Sequence, residues 1–367
     1  MSASAGSGVK ARLPLLAAGF VALALGAGAG LARMGWTFAL YDPRLVTWHG
    51  ELMICGFFGT VIGLERSVAL QARWAYSAPL AAALGILALI AARPVAAMIL
   101  FVAASFALLA ASGSIVLRQR ALFTLTSALG AMCWTAGNLL WLGGADAVPW
   151  WIGFLVLTIA AERLELSRLL PQTRLARMAF AVVVAAILAS LVLTVTLPRA
   201  GSAVQAAALL ALALWLLRHD IARRTVRDRG LTRFIAVCLL SGYAWLASGA
   251  AVLLVDSFSP SFGARDAALH AILLGFVFSM VLGHAPIIFP AVTRAAVPYH
   301  WSFYIPLALL QASLALRIGG DLLAVDDWRR FGGVGNAAAL LLFVLGTATA
   351  LVRGKLARMD ASADDPG

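Results

Sequence analysis

Twelve stretches, each close to the length of helix that crosses a lipid bilayer, fill this chain almost end to end. They fall at residues 13–33, 45–68, 76–93, 95–117, 121–142, 148–166, 175–197, 202–218, 232–255, 266–289, 300–319 and 333–352. A span needs about 20 largely apolar residues. Lipid offers the backbone no hydrogen-bond partner, so such stretches must be helical. Composition agrees: 62% of the 367 residues are hydrophobic and 12% are charged, with a mean hydropathy of +0.94. Soluble domains run at roughly 45–50% and 25%. The expected fold is an all-α polytopic membrane protein of twelve transmembrane helices. Residues 1–12 form a cytoplasmic tail, 13–353 a single membrane domain, and 354–367 a polar, disordered cytoplasmic tail. The first apolar run continues through Gly30 and is read as an uncleaved span.

The net charge of +12 does not point to nucleic acid, because the basic residues sit in short runs between apolar stretches. The densest run, "RHDIARRTVRDRGLTR" at 218–233, reads as a solvated loop touching lipid headgroups. With the N-terminus inside, 20 of the 28 Lys and Arg residues lie on the cytoplasmic side and 8 outside, giving an N-in, C-in topology. Cys55, Cys133 and Cys238 lie inside apolar segments with no spacing that suggests a disulfide or metal motif.

A repeat of four helices runs faintly through the chain. Helix 2 reads "GFFGTVIGLER" from Gly56, helix 6 "GFLVLTIAAER" from Gly153 and helix 10 "GFVFSMVLGHA" from Gly275. Nine residues after each glycine comes a polar group: Glu65, Glu162 and His284. Three four-helix units would set these three at one depth, toward the cytoplasm.

Ionisable groups inside a bilayer are costly and need a partner or a function. His49 and His270 each lie about four residues into a helix that starts at the outer face, so both imidazoles sit on the order of one turn deep. Two histidines at matched depth on separate helices suit a bis-imidazole haem, or each bonds a nearby carbonyl. Met53 shares the face of His49 and packs against a porphyrin or fills core. Glu51 lies on the other side of that helix. His284 is about 21 Å along the axis from His270, so one iron cannot bind both. It belongs to a second metal site, a proton relay or, the favoured reading, a hydrogen bond to a neighbouring helix. Glu65 and Glu162 are read as structural ion pairs with arginines of the repeat-related helix, or as a proton path. Asn138 and Tyr243 suit interhelical hydrogen bonds. His219 and His300 lie at the interfaces as ordinary polar residues.

The string Trp48-His49-Gly50, with Met53, Gly56 and Phe57, resembles the helix 2 motif of the NnrS family of bacterial membrane proteins. His270, Ala271 and Gly275 are similar to its later histidine motif. "HGELM" also resembles helix 2 of haem-copper oxidase subunit I. The resemblance implies twelve helices, one b-type haem held by His49 and His270 near the periplasmic face, and a role in nitric oxide stress or membrane redox chemistry. It leaves the redox partner open. NnrS proteins also bind copper, but Glu51 stands where they usually have a second histidine, and helices 6 and 7 contain none. Both departures weigh against copper and an oxygen-reducing centre. The competing class is a secondary transporter coupled through Glu65 and Glu162, with "GHAPIIFP" (283–290) as an unwound end.

Overall fold

The computed structural model describes residues 3–37, 42–167, 173–293 and 297–363. Among them, long helical rods follow one another in chain order. They are α1 (Ala3–Arg33), α2 (Pro43–Leu70), α3 (Arg73–Ile90), α4 (Pro94–Arg118), α5 (Leu122–Leu142), α6 (Val148–Ser167), α7 (Arg174–Thr196), α8 (Pro198–His219), α9 (Gly230–Phe258), α10 (Gly263–Pro290), α11 (Trp301–Leu323) and α12 (Asp326–Ala363). No strand occurs among the described residues. Ten rods are long and apolar enough to cross a membrane, and the chain is a multi-pass membrane protein. The other two are α5, diluted by Asn138 and several Ser and Thr, and α6, which carries Glu162, Arg163 and Glu165 near its end.

Local chemistry starts and stops the rods. Pro43, Pro94 and Pro198 occupy first-turn positions, where a missing N–H is harmless. Thr173 and Ser261 cap α7 and α10 by accepting from the amides of Ala176 and Ala264. Ahead of α2, the Asp42 carboxylate accepts from the Arg44 side chain and amide, which holds its pKa below the usual carboxylate value. The ends correct the expected tails: α1 is helical from Ala3, and α12 continues to Ala363. Ala-, Lys-, Arg- and Met-containing stretches have good helix propensity and extend a rod already begun.

Each rod packs chiefly on its chain neighbours, and α1 meets α12. The rods α2, α6 and α10 form the interior. The apolar windows of α10 and α2 are 72% and 61% buried, against 28% for α7. In α6, every residue from Trp151 to Ala161 is buried, as expected of a helix that is apolar all round. Leu87, Leu175 and Val182 on the outer rods stay 59%, 75% and 67% exposed. Apolar surface on that scale belongs against lipid.

Candidate functional site

Both histidine-bearing rods change their winding at the same place. After His49, residues Leu52–Phe58 form a π-helix; after His270, residues Ala271–Phe278 do the same. Single π turns inside longer helices occur disproportionately at functional sites. Uniform α-helical spacing, assumed from sequence, misses this. Gly56 lies in the first π segment and Gly275 in the second. A Cβ on Gly275 would stand 2.6 Å from the Trp245 Cβ, so the glycine permits the close approach of α9.

The structure brings His49 and His270 together. Their ring centres are 6.2 Å apart and their planes differ by 18°. The Nδ1 of His49 donates to the Gly26 carbonyl at 2.7 Å, and that of His270 to the Asp266 carbonyl at 2.9 Å. A carbonyl only accepts, so both Nδ1 atoms carry the proton and both Nε2 atoms keep a free lone pair. This tautomer is the one a metal-ligating histidine adopts when its other nitrogen is anchored. The Asp266 carboxylate, 3.4 Å from His270 Nδ1, is paired with Arg317 at 3.0 Å.

Helix α1 supplies the seat for His49. A Cβ on Gly30 would stand 2.9 Å from His49 Cε1, and one on Gly26 would stand 2.7 Å from Met53 Sδ. The two glycines, one helical turn apart, therefore admit the imidazole and the thioether.

The two imidazoles and Met53 line a cavity of about 490 Å³. Leu269, Leu273, Leu274, Phe58 and Leu340 form its apolar walls, while Arg33, Arg317 and Arg329 border it. Arg317 and Arg329 also pair with Asp321, at 3.8 and 3.1 Å. No carboxylate pairs with Arg33 among the described residues. Glu51 is not among the lining residues.

Glu65 and His284 lie far along the same two rods and, with Glu162 of α6, line a second, smaller cavity of about 90 Å³. Glu162 pairs with Arg66 of α2 at 3.4 Å, the cross-helix partner expected from sequence. His284 differs from expectation. Its Nδ1 bonds the Met280 carbonyl of its own helix at 2.6 Å, not a neighbouring helix, and its buried Nε2 has no partner. A helical histidine reaches the carbonyl four residues back without any help from another rod, so the local bond forms first. No three His, Cys, Asp or Glu residues among those described are placed to hold a metal ion, so nothing supports a metal at His284. Residues 283–290 are helical through Pro286 and Pro290, not unwound as the transporter reading expected.

The remaining polar residues have structural roles. Asn138 donates to the Phe101 carbonyl and accepts from Trp151. Tyr243 donates to Asp220, which also caps the Ala222 amide, so the basic 218–233 segment is pinned at its start rather than wholly solvated. His219 stacks on Trp215, and His300 caps a short turn. The three cysteines are free and buried.

Sequence reasoning missed Gly26, Gly30, Arg33, Asp266, Arg317 and Arg329. The "GAGAG" string of helix 1 was the one visible signal for the glycine seat.

A family model described as a domain of unknown function, DUF8744, matches residues 12–352. Comparison with curated proteins gives no match, and comparison with solved structures gives none.

Proposed function

We propose that this chain, which belongs to the DUF8744 family, holds one b-type haem between His49 and His270 and uses it for one-electron chemistry in the membrane. The observation that carries this reading is the facing pair of imidazoles. Two metal–imidazole bonds of about 2.0 Å, plus roughly 1.1 Å from each nitrogen to its ring centre, separate the ring centres by about 6.2 Å. The rings stand 6.2 Å apart, with both Nε2 lone pairs unused.

The surroundings support the same reading. The cavity has the bulk and the apolar walls that a porphyrin requires, with Met53 beside His49. Arg33, Arg317 and Arg329 offer guanidinium groups to two carboxylate side arms. A bound haem would supply reversible one-electron transfer. The chain's own contribution is to fix both tautomers, through Gly26 and Asp266, and to exclude water with the leucine and phenylalanine walls. Were both Nε2 atoms engaged by one iron, nitric oxide would bind there only if one histidine let go. Electron transfer is therefore favoured, and a nitric oxide response is the second use of the same site. In this reading the Lys and Arg bias of the connecting segments turns the haem end toward the periplasm of a bacterial inner membrane.

Purified protein is tested by absorption spectroscopy, oxidised and reduced. A haem b spectrum lost in His49→Ala and in His270→Ala bears the reading out. Correctly folded protein that takes up no haem on reconstitution rejects it.

A further inference from the structure

The second cavity has an unbalanced hydrogen-bond inventory. His284 donates through Nδ1 to Met280, so its Nε2 is an acceptor, and that nitrogen is buried without a donor. Glu65 borders the same space, and no described residue donates to it or pairs with it. Glu162 is held by Arg66. When both glutamates are ionised, the polar corner of this otherwise apolar cavity holds acceptors whose nearby donors are already engaged, the Thr158 hydroxyl with the Phe154 carbonyl and Arg66 with Glu162. A buried acceptor in that state, here the His284 Nε2, is costly by the desolvation of the unsatisfied group. Two carboxylates beside one small, mostly apolar space also resist ionising together. A single added proton resolves both conflicts, because a protonated carboxyl donates while still accepting.

Most of the lining is apolar, and its polar atoms gather at Glu65, Glu162, Thr158 and His284. At that polar corner the cavity of about 90 Å³ has room for a few waters, at roughly 30 Å³ of liquid volume each, to bridge these groups. The charged and titratable groups around it are Glu65 and Arg66 on α2, Glu162, Arg163 and Glu165 on α6, and His284 on α10, with Asp220 and Tyr243 behind His284. From α1 and α12 come only apolar side chains, including Leu16, Phe20 and Phe343. Arg66 and Glu162 keep 15% and 24% of their side chains exposed, which gives the cavity a polar outlet at that end of the bundle. In the other direction it stops at Phe58, whose side chain lines both cavities. Phe58 is fixed there by edge contacts with Phe57 and Phe278.

We propose that Glu65, Glu162 and His284 form a water-filled proton-holding site, with the proton on Glu65 and bridging water donating to His284 Nε2. The proton exchanges with the aqueous phase through the Arg66–Glu162 pair and does not pass Phe58. The site stands without the haem, since none of its groups touches the larger cavity.

The test is infrared spectroscopy of the full chain in lipid nanodiscs, in H₂O and D₂O. The expected result is a protonated-carboxyl C=O band that shifts in D₂O, disappears in Glu65→Gln and persists in Asp146→Asn, which removes an exposed carboxylate. His284→Phe, which removes the acceptor, should shift the band without abolishing it; this second variant decides the matter where Glu65→Gln fails to fold. No such band in the wild type, a band unmoved in D₂O, a band that persists in folded Glu65→Gln, or, where that variant does not fold, a band unchanged in His284→Phe overturns the proposal. Haem content is read separately, in visible absorption, so failure of one reading leaves the other intact.

Discussion

The two ends of α2 and α10 carry the same kinds of side chain and meet opposite needs. At one end, two imidazoles face each other across a cavity of about 490 Å³ bordered by three arginines. At the other, one imidazole and two carboxylates share about 90 Å³. In both places backbone carbonyls take the Nδ1 protons, so every histidine presents a bare Nε2. The larger space fits a cofactor that accepts two lone pairs at once; the smaller fits water and a proton. What separates the functions is room and neighbouring charge, and Phe58 is the wall between them.

Removing that wall is the harshest way to break the comparison. Phe58→Ala should join the cavities and destabilise the fold by about 3–5 kcal/mol, as large core truncations do. Thermal unfolding in detergent measures this, and a value near zero would mean the wall is not packed. Next in size, His49→Ala should weaken haem binding by more than about 100-fold, beyond the usual cost of losing a supporting group. His284→Ala should leave it unchanged. Haem titration followed at the Soret band distinguishes the two, and equal effects would dissolve the distinction between the ends. Gly30→Val places new carbon against His49. It should cost about 1–3 kcal/mol by overpacking, with loss of haem exceeding any loss of helix by circular dichroism. The smallest expected effect is that of Arg33→Gln. The side chain is exposed, so haem affinity should fall by at most about fivefold, roughly 1 kcal/mol. The fall should shrink at high salt.

Much of the bundle was legible because bilayer physics leaves few choices. The apolar stretches and their Gly, Pro and charge breaks lie close to the observed rods; His49 and His270 stood out by matched depth, Met53 by sharing the face of His49, and all three by the family resemblance. Other features needed coordinates. The π segments after His49 and His270 pack against α1 and α9, and apolar periodicity in an all-apolar helix carries no signal for them. Arg317, Arg329 and Asp266 sit near helix ends, where charge is ordinary, so nothing in the string marked them as neighbours of the cavity. Glu65, Glu162 and His284 were expected at one depth; that they border one small cavity depends on α2, α6 and α10 being the interior rods. The local bond of His284 to Met280 was missed because an intramembrane histidine was assumed to seek another helix.

The claim that two imidazoles clamp one iron is tested most directly by electron paramagnetic resonance of the ferric protein after haem reconstitution. Ring planes only 18° apart predict a rhombic low-spin signal, as near-parallel imidazoles produce, that vanishes in His49→Ala and His270→Ala alike. A high-spin signal in the wild type, or a low-spin signal that survives both substitutions, would contradict the account.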